Sequence, residues 1–269
     1  MGTNYLAPTW RQPENTNKDK LSNYSIDFDG TIADDIELGT TTFLLPGQPS
    51  STSTSVSNPK FSASIFFNFN SSVAGTTACM IGAGQAGGAQ YWYLRKDSND
   101  NLQAIFRITN GTYATITGGT TLSHSTWYHA CVTWDGDNIN LYLNGVSDAT
   151  QVAATTFYYG STIPHPSIGS FRYSAYATNN GWKGKLSQAT VFDYALSQSQ
   201  ITYLYNLNNP MTITGAEPIA YWPLGDNSNP TATAGYPNIV SAADSVFDFT
   251  TNGYITLPTV PELGMAGAS

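Results

Sequence analysis

The chain has 269 residues and a formal net charge of -8, and charged side chains make up 10% of it, against about 25% in ordinary globular proteins. It contains no basic run, so it lacks the clustered cations that a nucleic-acid backbone demands. No stretch of about 18 apolar residues occurs, and the start from Met1 to Pro8 has neither the basic nor the apolar part of a secretory signal, so no membrane insertion and no signal peptide are expected.

Residues 1–20 are polar, contain Pro and show no periodicity, the pattern of an extended N-terminal arm. Ile26 and Phe28 then alternate with Asp27 and Asp29, Gly30 interrupts, and Ile36-Glu37-Leu38 resumes, which predicts a short hairpin. Residues 46–59 carry Pro, Gly and a Ser/Thr run and read as a loop. Strand patterns follow at 61–69, 77–81, 90–94, 102–108, 113–116, 127–134 and 139–143, with Gly, Asn or Asp in nearly every gap. Many short strands with regular turn signals predict an antiparallel sandwich or barrel.

Two turns are marked strongly, because Asp135-Gly136 and Asn144-Gly145 supply the positive φ values that tight hairpins need. The Gly-rich run from Gly82 to Gly88 has no helix start or Lys after it, so it reads as a surface loop rather than a phosphate cradle. After a last strand at 186–192, Ser197 with Gln200 three positions on forms a capping-box pattern, which starts a short helix. Ile201, Leu204 and Tyr205 share one face of that helix, and Pro210 is expected to end it. Cys79 and Cys131 lie in apolar runs, as buried thiols do; a disulfide between them is the alternative.

The order Trp127-Tyr128-His129, Val132-Thr133-Trp134-Asp135-Gly136, Asn140-Leu141-Tyr142-Leu143-Asn144-Gly145 and then Gly184 through Ser197 with its helix resembles the laminin-G-like, pentraxin-related family. The resemblance covers about residues 22–207. It implies an all-β fold: a laminin-G-like (concanavalin-A-like) antiparallel jelly-roll β-sandwich with one short C-terminal helix. Its sandwich strands would bury side chains worth about 2 kcal/mol each. The domain style is similar to domains of structural proteins of tailed phages.

Near the C-terminus, Ile219-Ala220-Tyr221-Trp222-Pro223-Leu224 resembles the family's opening strand, and the run from Ser245 to Pro258 parallels that from Ser25 to Gly39. The chain is therefore read as an arm at 1–20, a jelly-roll domain at 21–209, and an incomplete repeat or docking tail at 210–269. Three strands cannot stand alone in water, so the tail must dock. It either extends its own sandwich or donates a strand to a neighbour, with Tyr221, Trp222, Phe247 and Phe249 as the assembly residues.

Asp27, Asp29, Asp34 and Asp35 cluster around one predicted turn, and hard oxygen donors at a turn suit Ca²⁺. Calcium is also carried by many relatives in the resembled family, yet the spacing matches no defined calcium loop, and Asp caps turns routinely. Tyr91, Trp92 and Tyr93, together with Tyr173 and Tyr176, are candidate sugar-stacking or interface residues. No catalytic residue is assigned: Asp35-Ile36-Glu37 is the nearest match to a glycosidase acid pair but lacks a third acid, and His124, His129 and His165 have no zinc-like spacing. The expected function is that of a non-catalytic virion structural or surface protein. As a capsid decoration, fibre or tail component it would act through self-association, contacts with other virion proteins and attachment to cell-surface glycan. A carbohydrate-binding adhesin or lectin outside a virion is the alternative, and either one sits on a virion or extracellular surface.

Overall fold

Burial alternates along Asn138–Leu143, where Ile139, Leu141 and Leu143 point inward and the residues between them are half-buried on the other face, as the two-residue repeat of a strand dictates. The same physics organises the rest of the chain in a computed structural model that describes residues 25–30, 35–40, 42–50, 52–85, 90–160, 162–172 and 178–224. The expected arm at 1–20 and the tail beyond residue 224 lie outside the described residues.

In chain order the strands begin with β1 (Ile26–Asp29), β2 (Ile36–Glu37), β3 (Ser55–Ser57), β4 (Phe61–Phe69), β5 (Ala78–Gln85) and β6 (Gln90–Lys96). They continue with β7 (Asn101–Thr109), β8 (Thr112–Thr121), β9 (Tyr128–Trp134), β10 (Asn138–Leu143), β11 (Val146–Ser147) and β12 (Val152–Ala153). The last are β13 (Thr156–Tyr158), β14 (Pro164–Ile168), β15 (Phe171–Arg172), β16 (Thr178–Asn179), β17 (Lys183–Phe192) and β18 (Ala220–Trp222), with one helix, α1 (Gln198–Tyr205), after β17.

One sheet has the order β1-β17-β4-β9-β10-β11, with β12 on β10 and β18 on β17; the other runs β2-β14-β5-β6-β7-β8. Small ribbons pair β13 with β3 and β15 with β16, and every pairing is antiparallel. The inward faces of the two large sheets meet in one core that includes Phe61, Phe67, Trp92, Phe106, Trp134 and Trp182. Phe61 meets Trp92 edge-on at 4.7 Å, and Phe106 meets Trp134 at 5.1 Å. The indoles of Trp92 and Trp134 donate to the carbonyls of Leu44 at 3.0 Å and Ala154 at 2.7 Å, so neither buries its polar end unsatisfied.

The antiparallel jelly-roll sandwich with a short helix is therefore present as read from sequence. Asn144 and Gly145 have φ values of 51° and 78°, the left-handed pair that the β10–β11 hairpin needs. Ser197 and Gln200 form the reciprocal capping box at the start of α1, which lays Ile201 and Leu204 over Cys131 on the outer face of β9. Both cysteines are free and buried, and they stand in different clusters on the outer faces of the two sheets.

Four expectations need correction. Trp127 precedes β9 and is 45% exposed. The helix stops at Tyr205, before Pro210, where Leu207 turns left-handed with φ 57°, and Pro210 instead opens a short 3-10 turn. Gly82 and Gly84 belong to β5 rather than to a loop. Finally, Tyr221 and Trp222 are not free for assembly: β18 pairs with Ala189–Val191 of its own β17, Trp222 is fully buried, and Tyr221 nearly so. The tail's first strand thus extends the sandwich in cis past residue 209. Phe247 and Phe249 lie outside the described residues.

Candidate functional site

The outer face of the six-stranded sheet carries the chain's polar architecture. Leu102, Ala104 and Phe106 of β7 enter the core, which puts Gln103, Ile105 and Arg107 on the opposite side of the sheet, where all three are largely covered. Register sets Arg95 of β6 and Thr117 of β8 on either side of Gln103, and Tyr93 and Thr115 on either side of Ile105. The first row is a hydrogen-bonded ladder: Arg95 donates through Nε at 2.8 Å and Nη2 at 2.6 Å to Gln103 Oε1, and Gln103 Nε2 donates to Thr117 Oγ1 at 2.8 Å. Thr115 and Thr117 are exposed and Arg95 is half-buried. Further along, Arg107 donates to Gln85 Oε1 at 2.6 Å and Asn110 Oδ1 at 2.8 Å, with its guanidinium 4.7 Å from the centre of the Tyr158 ring.

Part of this face is roofed. Phe171 of β15 lies 4.1 Å from Tyr93, ring to ring, above Cys79. Glycine makes that approach feasible: a Cβ at Gly84 would fall 1.9 Å from the Arg172 carbonyl oxygen, and one at Gly82 2.3 Å from the Tyr93 ring. Arg172, next in β15, forms ion pairs with both Asp35, at 2.8 Å, and Glu37. Ser170 adds a hydrogen bond to Asp35 at 2.6 Å.

This geometry revises the residues expected from sequence. Tyr91, Trp92 and Tyr93 are all buried, so none offers an open ring to a sugar. Tyr91 packs on Phe157 and Tyr159, Trp92 fills the core, and Phe171 covers Tyr93. Tyr173 and Tyr176 lie outside the described residues, as does Asp34. Asp27 and Asp29 stand opposite Lys185 and Lys183 across the β1–β17 pairing, a register that suits cross-strand charge complementarity. Asp35 is engaged by Arg172 and Ser170, and among the described residues no group of three His, Cys, Asp or Glu side chains could hold a metal ion. In the β9–β10 turn, Asp135 Oδ1 accepts the amides of Asp137 at 2.9 Å and Asn138 at 2.7 Å, a turn-capping role.

A cation is built into the β6–β7 end of the sheet. The ammonium of fully buried Lys96 donates to the carbonyls of Thr76 at 2.5 Å and Asp97 at 3.2 Å and to the Asp100 carboxylate, with the Phe69 ring centre 5.2 Å away. Burial raises the Asp100 pKa, but hydrogen bonds from Lys96 and the Gly75 amide, with the Lys96 charge, outweigh it and hold the carboxyl below its ordinary value.

A second polar cluster sits beneath α1. Ser64 Oγ lies 2.6 Å from His129 Nε2, beside a small pocket lined by Ser64, Phe66, Gln188, Thr190 and Leu204. His129 Nδ1 has no hydrogen-bond partner, so no acid orients the ring as a Ser-His-Asp triad requires. Complete burial lowers the His129 pKa to about 3, and the neutral imidazole packs against Phe66 with ring centres 4.7 Å apart and planes tilted by 44°. Its place in the fold is structural.

A family model described as the concanavalin A-like lectin/glucanases superfamily matches residues 46–202, more than half of the chain. The chain belongs to this superfamily. Solved structures with the superfamily's sandwich include the native heptameric SAP-like pentraxin from Limulus polyphemus, 16% identical with a TM-score of 0.51, covering 74% of this chain and 87% of that one. Another is the CBM40 of the Ruminococcus gnavus IT-sialidase, bound to alpha2,3 sialyllactose, at 13% identity and a TM-score of 0.53, covering 70% of this chain and 99% of that one. Identities this low establish the shared fold alone. A search of curated proteins finds no significant sequence match.

Within the superfamily scaffold, Arg95, Gln103, Arg107, Thr117 and Arg172 are candidate residues of this polar face that the sequence did not single out. For Arg107 a signal was present: it alternates with apolar Phe106 and Ile108, which puts it on the non-core side of its strand, whereas Arg95 stands between Leu94 and Lys96 and shows no alternation. No described helix is long and apolar enough to cross a membrane.

Proposed function

We propose that the protein is a non-catalytic, lectin-like module that binds glycan on the outer face of its six-stranded sheet. The observation that carries this reading is the Arg95–Gln103–Thr117 ladder, a row of hydrogen-bonding groups pre-positioned on three rigid strands beside exposed Thr115 and Thr117. A saccharide is bound by such fixed donors and acceptors at low entropic cost. The CBM40 bound to alpha2,3 sialyllactose is a precedent for a glycan ligand on this fold. Cleavage is not part of the proposal, because both acids of Asp35-Ile36-Glu37 are ion-paired to Arg172 rather than free to flank a scissile bond. On a virion, as a capsid decoration, fibre or tail component, such a face would serve attachment. Assembly through Tyr221 and Trp222 is not proposed, since both are buried in the chain's own sheet.

The test is a glycan array probed with the full chain, followed by titration of the hits against the double variant Gln103→Leu/Thr117→Val. Loss of two hydrogen bonds, each worth about 1 kcal/mol net, should weaken binding at least about tenfold. Absence of binding to every glycan, or hits whose affinity the double variant leaves unchanged, overturns the proposal.

A further inference from the structure

In a chain of net charge -8 with ten lysines and arginines, cations are scarce, and their counter-ions are informative. Lys96 has Asp100, and Arg172 has Asp35 and Glu37. Arg95 and Arg107 differ. All of their hydrogen-bond acceptors are neutral amide oxygens, from Gln103, Gln85 and Asn110, and among the described residues neither has a carboxylate within ion-pair distance. The acid nearest Arg95 in sequence is Asp97, whose Oδ1 accepts the amides of Asn99 at 2.9 Å and Asn101 at 2.8 Å and so closes the β6–β7 turn. Arg107 is only 5% exposed, and its Nε has no hydrogen-bond partner among the described residues. A buried guanidinium held by neutral groups alone is costly unless something brings negative charge near it.

Both arginines stand on the same side of the same sheet. Arg107 stands four positions along β7 from Gln103, beside Arg95, a span of about 13 Å, with Tyr93, Ile105 and Thr115 between them. In an otherwise acidic molecule, the face thus carries two arginines that have no carboxylate in ion-pair contact among the described residues; one of them, Arg95, is half-open to solvent and feels the Asp97 carboxylate only at a distance. Resting on the glycan-binding reading above, we propose that the ligand of this face is an anionic saccharide, whose carboxylate or sulfate group takes the outer edge of the Arg95 guanidinium. The planar fork of arginine suits both acid groups and gives short, charge-assisted hydrogen bonds. Arg107 holds the far end of the face positive, and the Thr115 and Thr117 hydroxyls are placed for the neutral part of the sugar.

The experiment is calorimetric titration of the full chain with alpha2,3 sialyllactose, 3-O-sulfated lactose and plain lactose at low and at physiological salt. At least one of the two acidic probes should bind about tenfold or more tighter than lactose, with the margin narrowing as salt rises; which of them does so identifies the acid group as carboxylate or sulfate. Arg95→Gln should bring the acidic probe down to the affinity of lactose, and Arg95→Lys should recover part of the margin. Thermal melts of both variants verify that the sandwich is intact. Lactose bound as tightly as either acidic sugar, or an acidic preference untouched by Arg95→Gln in a folded protein, overturns the inference while leaving the glycan-binding face standing. No binding to any of the three or to any arrayed glycan overturns both together.

Discussion

Replacing Lys96 with Met tests whether a built-in cation organises the β6–β7 end of the sandwich. Met fills a similar volume but removes the ammonium, which strands the Thr76 and Asp97 carbonyls and one Asp100 oxygen that Lys96 now satisfies. Breaking a buried ion pair by deleting one partner costs about 3–5 kcal/mol. The Asp100 side chain is 21% exposed and keeps the Gly75 amide at 3.0 Å, so the lower end, about 3 kcal/mol, is expected. At about 2–4 °C per kcal/mol for a unit of this size, the melting temperature should fall by roughly 6–12 °C. Adding Asp100→Asn removes the stranded charge and should return about 1–2 kcal/mol, a coupling that a double-mutant cycle in urea measures directly. Because Asp100 titrates below its ordinary value of 3.8, its contribution is complete above that value and is lost as pH falls through the lowered one. The gap between wild type and Lys96→Met should narrow correspondingly in strong acid. A Lys96→Met protein within about 1 kcal/mol of wild type at neutral pH would refute the reasoning.

Three further outcomes are expected. Gly84→Ala places a methyl 1.9 Å from the Arg172 carbonyl, so β15 must lift; a loss of about 1–3 kcal/mol and faster alkylation of Cys79 in native buffer are expected, and an unchanged melt would count against the tight crossing. Trp222→Ala empties a fully buried site and should cost about 3–5 kcal/mol without changing the oligomer size seen by light scattering; an oligomer that dissociates would return β18 to an assembly role. His129 has its folded pKa lowered from 6.5 to about 3 by burial, so below pH 6.5 the unfolded chain binds the proton that the folded chain refuses. Stability should therefore fall as pH drops from 6.5 toward 3, and His129→Phe should flatten that slope in pH-dependent urea unfolding.

The parts of the fold that are legible in the sequence are those where local chemistry and tertiary packing agree. Asn144-Gly145 and the Ser197–Gln200 box state their geometry within a few residues, and β10 alternates cleanly because only one of its faces enters the inter-sheet core. The second half of β5 hid in its glycines, which signal a loop locally but serve here to admit the Tyr93 ring and the Arg172 backbone. The site was misread for a related reason. Tyr91-Trp92-Tyr93 looks like an exposed aromatic patch, but Phe157 and Tyr159 cover Tyr91, the core takes Trp92 and Phe171 of β15 covers Tyr93, and no local pattern announces those distant covers. Arg107 could be assigned a face by alternation with Phe106 and Ile108, but whether an arginine has a carboxylate partner depends on contacts between residues far apart in sequence, such as Arg172 with Asp35.

The place of β17 has a consequence for how the chain acquires its structure. It joins β1, β4 and β18, so Ile26 meets Leu186 and Ala63 meets Val191 across most of the domain's length. Contacts this distant in sequence make folding slow. During synthesis the apolar strand Phe61–Phe69 can pair with β9 but must wait with its other edge bare until residues 183–192 emerge. An unpaired hydrophobic edge is a template for aggregation, so nascent chains or fragments ending before β17 should be the species that depend on chaperones. Part of the outer edge of β17 itself is paired only when Ala220–Trp222 arrives.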